Sequence, residues 1–299
     1  MANTIAGVNP AQIAQESLPY LVETFAPLNA FVTDFSTDVA SRGESVTTRF
    51  PTVPTAQDLT SGYSSTDVSM TAKTVTLNTF YGFVYGFLDD ERSKSAINLM
   101  DLFIGPAIEA VQKKVFGDIW NLVNDTNFPA AAATELASTA ANFDRDDMAD
   151  LAAQLTANGV PKLGRSALLN ESYYAALAKD LNAADTAGQT ETLTEHRVPR
   201  IHGFDTYEVS SGVADGNSVN VTGLVTHRAS LLFAGRLVDS EGAAEAGVQV
   251  ENVTVPGIGI PVQFRKWYDP DSGQLKCSMG LLYGVTFGLS NYGIKIVSS

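Results

Sequence analysis

The sequence is poor in the residues that most often carry chemistry. A single cysteine, Cys277, excludes an intrachain disulfide framework and any multi-cysteine metal site, and points to a reducing compartment. The histidines, His196, His202 and His227, share no metal-ligand spacing and read as surface or hydrogen-bonded side chains. Basic residues are scarce as well: 19 Lys and Arg stand against 33 Asp and Glu, a net charge of −14. That balance argues against a surface built to neutralise phosphate backbones. It also discourages nonspecific association, so any assembly must rest on shaped, specific contacts. From Met1 to Ala14 there is neither a basic stretch nor a continuous apolar run, which excludes a signal peptide or membrane anchor there.

Catalytic motifs are missing too. No Walker loop, nucleophile elbow or paired Cys and His occurs. Gly257-Ile258-Gly259 lacks the third glycine and the following helix of a dinucleotide site. Asp269-x-Asp271-x-Gly273 opens like a calcium loop, but Gln274 and Gly280 stand where glycine and a bidentate glutamate are needed, so it reads as a hairpin turn. Asp144, Asp146, Asp147 and Asp150 fit the N-terminus of a helix, where acids complement the dipole. No catalytic, cofactor-binding or metal-binding residue is expected, and the weight moves to a structural role.

What is present is an ordinary folding composition, 44% hydrophobic and 17% charged over 299 residues. Residues 2 to 40 look like an arm. Pro10, Pro19 and Pro27 are spaced too closely for a long helix, and Leu18, Leu21, Phe25 and Phe31 are too few for a core of their own. From Gly43 the period becomes two, with Val46, Thr48 and Phe50 on one face of a strand that Pro51 and Pro54 close. Thr55 to Asp67 is polar and reads as the tip of a hairpin or long loop.

The return strand is the most unusual feature. Val75, Leu77, Thr79, Tyr81, Phe83, Tyr85 and Phe87 alternate without a break, which predicts a ribbon of roughly 43 Å that projects from a compact domain. Its other face carries Gly82 and Gly86, where a second backbone could come close. After the charged turn Asp89 to Lys94, a helical stretch runs from Ala96 to Ile104. Gly105-Pro106 then fits the cap and first position of a second helix, through Val123, with Ile108, Val111, Val115, Ile119 and Leu122 at helical spacing. At about 1.5 Å per residue that helix is about 27 Å long.

The Ala-rich stretch 129–142 reads as a domain boundary. Beyond it Asp144 caps a helix that Asn158-Gly159 and Pro161 end, followed by a strand at Arg165 to Leu169, a helix at Glu171 to Lys179 and a strand at Phe204 to Val209. The last forty residues are β-rich, over Gly259 to Tyr268, Leu275 to Phe287 and Ile294 to Val297.

This order of parts resembles the major capsid proteins of tailed bacteriophages, the Hong Kong 97 type. Local phrases are similar as well: Arg165-Ser166-Ala167-Leu168-Leu169-Asn170 with Tyr173 and Leu177, Ile201-His202-Gly203-Phe204-Asp205-Thr206-Tyr207, and Thr226 to Ala234, which resembles the family's short helix and following strand. The resemblance implies an α+β fold with an N-terminal arm (1–42), an extended β-hairpin loop (43–88), a peripheral domain (89–143) with a spine helix at 106–123, an axial domain (144–255) and C-terminal peripheral strands (256–299). It implies a subunit that assembles with itself into hexamers and pentamers of an icosahedral head around double-stranded DNA, without sequence-specific binding, cofactor or membrane. It further implies a place in the virion after assembly in the host bacterial cytoplasm, and portal and decoration proteins as partners. No scaffold-like domain stands before the arm, so a separate scaffolding protein is expected. Lys73 lies on the return strand and no lysine lies at the tip, so an autocatalytic Lys-Asn crosslink is not expected. The residues expected to meet neighbouring subunits are Leu18, Leu21, Phe25, Arg49, Asp58, Tyr63, Asp67, Lys73, Tyr81 and Tyr85. Two other readings stay open: an encapsulin-type nanocompartment shell, and a soluble enzyme or binding domain with a dispersed site.

Overall fold

The computed structural model describes residues 10–39, 45–89, 99–184, 198–209 and 220–298, apart from positions 53, 61, 64, 66 and 257. The expected hairpin start at Gly43, most of the charged turn before Lys94, the first residues of the stretch from Ala96, and His196 lie outside the described residues.

The arm is helical where its prolines predict no long helix: α1 runs Pro10–Phe25 with Pro19 inside it. Pro10 opens the helix, where no backbone donor is needed, so only Pro19 costs a bond. Ala14, Ser17, Leu21 and Phe25 form a buried stripe that offsets this cost, and Ser17 donates to the carbonyl of Ala14 at 2.8 Å. The arm does lie across something else, namely the body of its own subunit, against α2 (Leu99–Trp120) and two strands described below. A 3-10 helix, Ala26–Ala30, follows it.

The two helices expected on either side of Gly105-Pro106 are one. Pro106 sits inside α2 on an exposed face, so it removes one hydrogen bond without disturbing the buried side. That side presents Ile108, Val111, Val115, Phe116 and Ile119 to the first core. The spine is therefore about 33 Å long, and it ends at Trp120 rather than Val123.

The first sheet has six strands. In spatial order they are β1 (Val32–Val39), β9 (Leu231–Leu237), β12 (Gln274–Phe287), β11 (Pro261–Asp269) and β10 (Gln249–Thr254), with β4 (Thr79–Leu88) also pairing with β12. One face, through Phe264, Cys277, Met279, Leu281 and Tyr283, packs in the same core as α1 and α2. Tyr283 donates to Asp118 on α2 at 2.6 Å. Burial and the neighbouring Asp118 carboxylate push its phenol well above the ordinary range.

The second sheet runs β5 (Glu135–Ala137), β13 (Gly293–Val297), β8 (Val221–His227), β6 (Arg165–Asn170) and β7 (Phe204–Val209). It is covered on both faces because alternate residues point opposite ways. Leu168 and Leu224 face the first core. Ala167, Leu169 and Val225 face a second core, closed by α3 (Arg145–Ala157) and α4 (Glu171–Ala184) through Met148, Leu155 and Leu177. Asp144 caps α3 as expected, its side chain accepting from the amides of Asp146 and Asp147 at 2.9 and 3.1 Å.

Two buried cations lock this sheet. Arg165 donates to the carbonyls of Ala152, Val160 and Pro161 and to the hydroxyl of Thr156, tying β6 to the end of α3. Lys295, fully buried on β13, meets Asp125 and Glu135, the latter at 2.8 Å. Burial works against its charge, yet the two carboxylates more than offset it and hold its pKa above the usual value.

Sheet membership does not follow chain order. β9 and β10, inside 144–255, belong to the first sheet, whereas β13, inside 256–299, belongs to the second. Pairing between distant strands sets this, and no local signal encodes it. Thr226 to Ala234 holds no helix: Ser230 donates to the carbonyl of His227 at 2.9 Å in a tight turn between β8 and β9.

Candidate functional site

The long alternating run 75–87 is two strands. β3 (Met70–Thr76) pairs with β2 (Ser45–Pro51) in a separate two-stranded ribbon, and β4 pairs with β12 in the first sheet. The alternation changes hands at Leu77, which is buried with Val75 against Leu232 and Ala234, with Val46 and Phe50 packed at the margin. Only the part beyond this anchor projects, so the free ribbon is shorter than its pattern predicts.

Hydroxyls staple the ribbon, with Thr47 to Thr74 at 3.1 Å and Thr52 to Ser69 at 2.9 Å. Between Thr52 and Ser69 the chain has no regular structure among its described residues. The carboxylate of Asp58 accepts from the side chain and amide of Thr60, the latter at 2.9 Å, and these bonds hold its pKa below the ordinary range. Around this turn large apolar side chains stand in solvent: Tyr63 is 92% exposed and Val68 69%, with Leu59 and Met70 also bare.

The residues expected at neighbouring subunits separate into two groups. Leu21 and Phe25 are buried in the subunit's own core and Leu18 is half-buried, so these side chains anchor the arm to its own body. Tyr85 is half-buried in a row of rings with Phe83 and Phe87, at 5.1 and 6.3 Å between centroids. The ammonium of Lys73 rests over the Phe287 ring at 5.2 Å, and Tyr81 lies beneath Lys114 at 4.9 Å. Arg49, Asp58, Tyr63 and Asp67 are exposed, all on the ribbon or its tip.

Sequence reasoning missed the outer face of the first sheet. There a cavity of about 310 Å³ opens between Phe80 and Val84 on one side and Arg265 and Trp267 on the other. Its floor is Gly82 beside Gly280. The close approach expected at Gly82 is present, since a Cβ there would lie 1.9 Å from the carbonyl oxygen of Met279. The only available signal was the glycines themselves, and their pairing across strands was not readable.

Among the described residues, reacting groups are not gathered anywhere comparable. Among the described residues no three His, Cys, Asp or Glu side chains cluster to hold a metal, and no helix is long and apolar enough to cross a membrane. Burial pushes the Cys277 thiol up to about 11, which keeps it protonated and unreactive. Burial likewise lowers the pKa of His227. Asp269 faces Ser272 and Lys276 in the expected hairpin turn, at 2.7 and 2.5 Å.

No protein-family model matches this sequence, and a search of the curated proteins finds no match. Solved structures do match. The asymmetric unit of the bacteriophage PhiM1 mature capsid is similar at a TM-score of 0.59 with 11% identity, over 91% of this chain and 86% of that one. A structure from Mycobacterium phage Che8 is similar at 0.55 with 19% identity, over 85% and 84%. A virus-like particle from Pyrococcus furiosus is similar at 0.52 with 11% identity, over 96% and 98%. The chain thus has the α+β fold of Hong Kong 97 type capsid proteins.

Proposed function

We propose that this chain is the major capsid protein of a tailed bacteriophage, a shell subunit that assembles with itself into an icosahedral head around double-stranded DNA. The observation that carries the reading is the hairpin. A body with two filled cores extends a ribbon whose tip exposes Leu59, Tyr63 and Val68 to water. Such a projection gains nothing for the isolated subunit, and burial against a neighbour would recover about 25 cal/mol for each Å² of apolar surface covered. Likeness to phage capsids over most of the chain supports the same reading. The net charge of −14 suits a container that encloses DNA without gripping it. The work of such a subunit is contact, and it needs no catalytic group or cofactor.

In this reading the protein's place is the virion, after assembly in the host cytoplasm, with a separate scaffolding protein, a portal and decoration proteins as further partners. A nanocompartment shell of the encapsulin type draws support from the likeness to the Pyrococcus furiosus particle, but that TM-score is no higher than those of the phage capsids.

Deletion of residues 56–66 tests the proposal. The expected result is a soluble, folded subunit with an unchanged far-ultraviolet spectrum that forms no closed shells under electron microscopy. Intact shells from the deleted chain would refute the role given to the hairpin.

A further inference from the structure

We propose that Lys295 and Asp125 condense into an amide bond inside one chain, with Glu135 carrying the protons. The bond joins two parts of the same subunit, so it is separate from any link between subunits and stands or falls apart from the shell reading above. Its starting point is a lysine closed off from water. The Lys295 side chain is 0% exposed, and its ammonium meets Oδ1 of Asp125 and Oε2 of Glu135, the latter at 2.8 Å. Two carboxyl groups on one amine exceed what a single charge needs for balance. The surplus group is what acid–base chemistry at that amine requires.

All three groups are held by backbone. Lys295 stands opposite Glu135 in the parallel pairing of β13 with β5, and its amide donates to the carbonyl of Thr134 at 2.9 Å. Asp125 comes from the turn 121–128 that follows the spine helix. There the side chain of Asn124 accepts from the amides of Thr126 and Asn127 at 3.1 and 3.0 Å, and the side chain of Asn127 donates to the carbonyl of Leu122 at 2.8 Å. Phe128, fully buried, presses the end of this turn onto β13, where a Cβ on Gly293 would fall 2.7 Å from its ring. Leu224, also fully buried, stands opposite Lys295 on β8. Amine and carboxyl are thus placed in advance, which turns a bimolecular condensation into an intramolecular one.

In the resting ion pair the ammonium has no lone pair to give. Burial narrows the gap between that ion pair and a neutral amine beside a neutral acid. Glu135 takes a proton from Nζ, and the freed lone pair attacks Cγ of Asp125 to form the C–N bond. Glu135 then relays protons from the nitrogen to one carboxyl oxygen of Asp125, the C–O bond breaks, and that oxygen leaves as water. Two protons of the ammonium and one oxygen of Asp125 make up the water, the opposite charges cancel, and Glu135 ends as it began. No oxidant or cofactor is consumed. Asp125 is the acceptor because its side chain is 60% exposed against 22% for Glu135, so the water has a way out and the proton carrier stays enclosed. The product replaces a buried charge by a neutral amide.

Mass spectrometry of the purified full-length chain is the test. The intact mass is expected to fall short of the sequence mass by one water. Trypsin is expected to release a branched peptide that joins residues 115–145 to residues 277–299, uncut after Lys295. A full intact mass with the two peptides separate overturns the proposal and leaves the shell reading standing. A lost water without the branched peptide, as a succinimide elsewhere would give, overturns it too. The unmodified chain decides this by itself, whether or not a variant folds. Asp125→Ala is expected to restore the full mass. Glu135→Gln keeps Asp125 beside Lys295 and is expected to restore it as well; a branched peptide from that variant would overturn the role given to Glu135.

Discussion

In the second sheet, the charges of Arg165 and Lys295 are met by groups of the same chain, whereas from Thr52 to Ser69 the hairpin leaves Tyr63 and Val68 in water. One region satisfies its polar and apolar needs internally, and the other leaves its apolar needs open. The difference shows how one acidic chain serves two ends. Burial fixes the body by itself, and what the hairpin leaves unburied remains available for contact. A net charge of −14 opposes nonspecific association between copies of the chain, so contact by the hairpin calls for a shaped partner.

Substitutions in the two regions should therefore differ in kind. Phe116→Ala empties a site fully inside the first core and is expected to cost about 3–5 kcal/mol, read as a lower midpoint in urea unfolding of the soluble subunit. A loss below about 1 kcal/mol would show the body to be as loosely held as the tip. Tyr63→Ser is expected to change subunit stability by less than about 0.5 kcal/mol, because the side chain touches little in its own chain. A melting temperature several degrees lower would break the comparison, since it would reveal a stabilising role within the subunit.

A pH titration sharpens the same contrast at the end of the first sheet. Hydrogen bonds from Lys276 and Ser272 hold the Asp269 carboxyl at about 2, below the value of about 3.9 for an unfolded chain. Because the folded value is the lower one, the contribution of this turn is complete above about pH 3.9 and is lost as the pH falls through about 2. Carbon-13 titration of Asp269 by nuclear magnetic resonance checks it. A midpoint near 3.9 would mean that the bonds from Lys276 and Ser272 do not hold in solution.

Local signals were legible where they are strictly local. Asp144 fits its cap from the acids and apolar spacing that follow, and Asp144 does cap the helix. The period of two through Val46, Thr48 and Phe50 gave the inward face of β2. The hairpin turn at Asp269 to Gly273 was readable because Gly273 takes a positive φ of 61°. Of the candidate contact residues, Arg49, Asp58, Tyr63 and Asp67 on the ribbon and tip are exposed, while Lys73 on the same ribbon rests over Phe287. Leu21 and Phe25 look the same in sequence as an arm seeking a neighbour, and their destination depends on α2, far along the chain. Prolines misled twice, at Pro19, where the buried stripe continues past it, and at Pro106, which stands on an exposed face of its helix.

The sequence by itself determined the order of parts, the acidic balance, the helix cap and the alternating strands, since each follows from neighbours a few residues apart. Only the tertiary structure decided where the long alternation divides at Leu77, that β13 crosses to the second sheet, and that Gly82 meets Gly280 to open a groove. Those outcomes depend on which distant strands pair and in what register. The free energy that selects a register comes from burying whole faces together, and no short stretch of the chain carries that information.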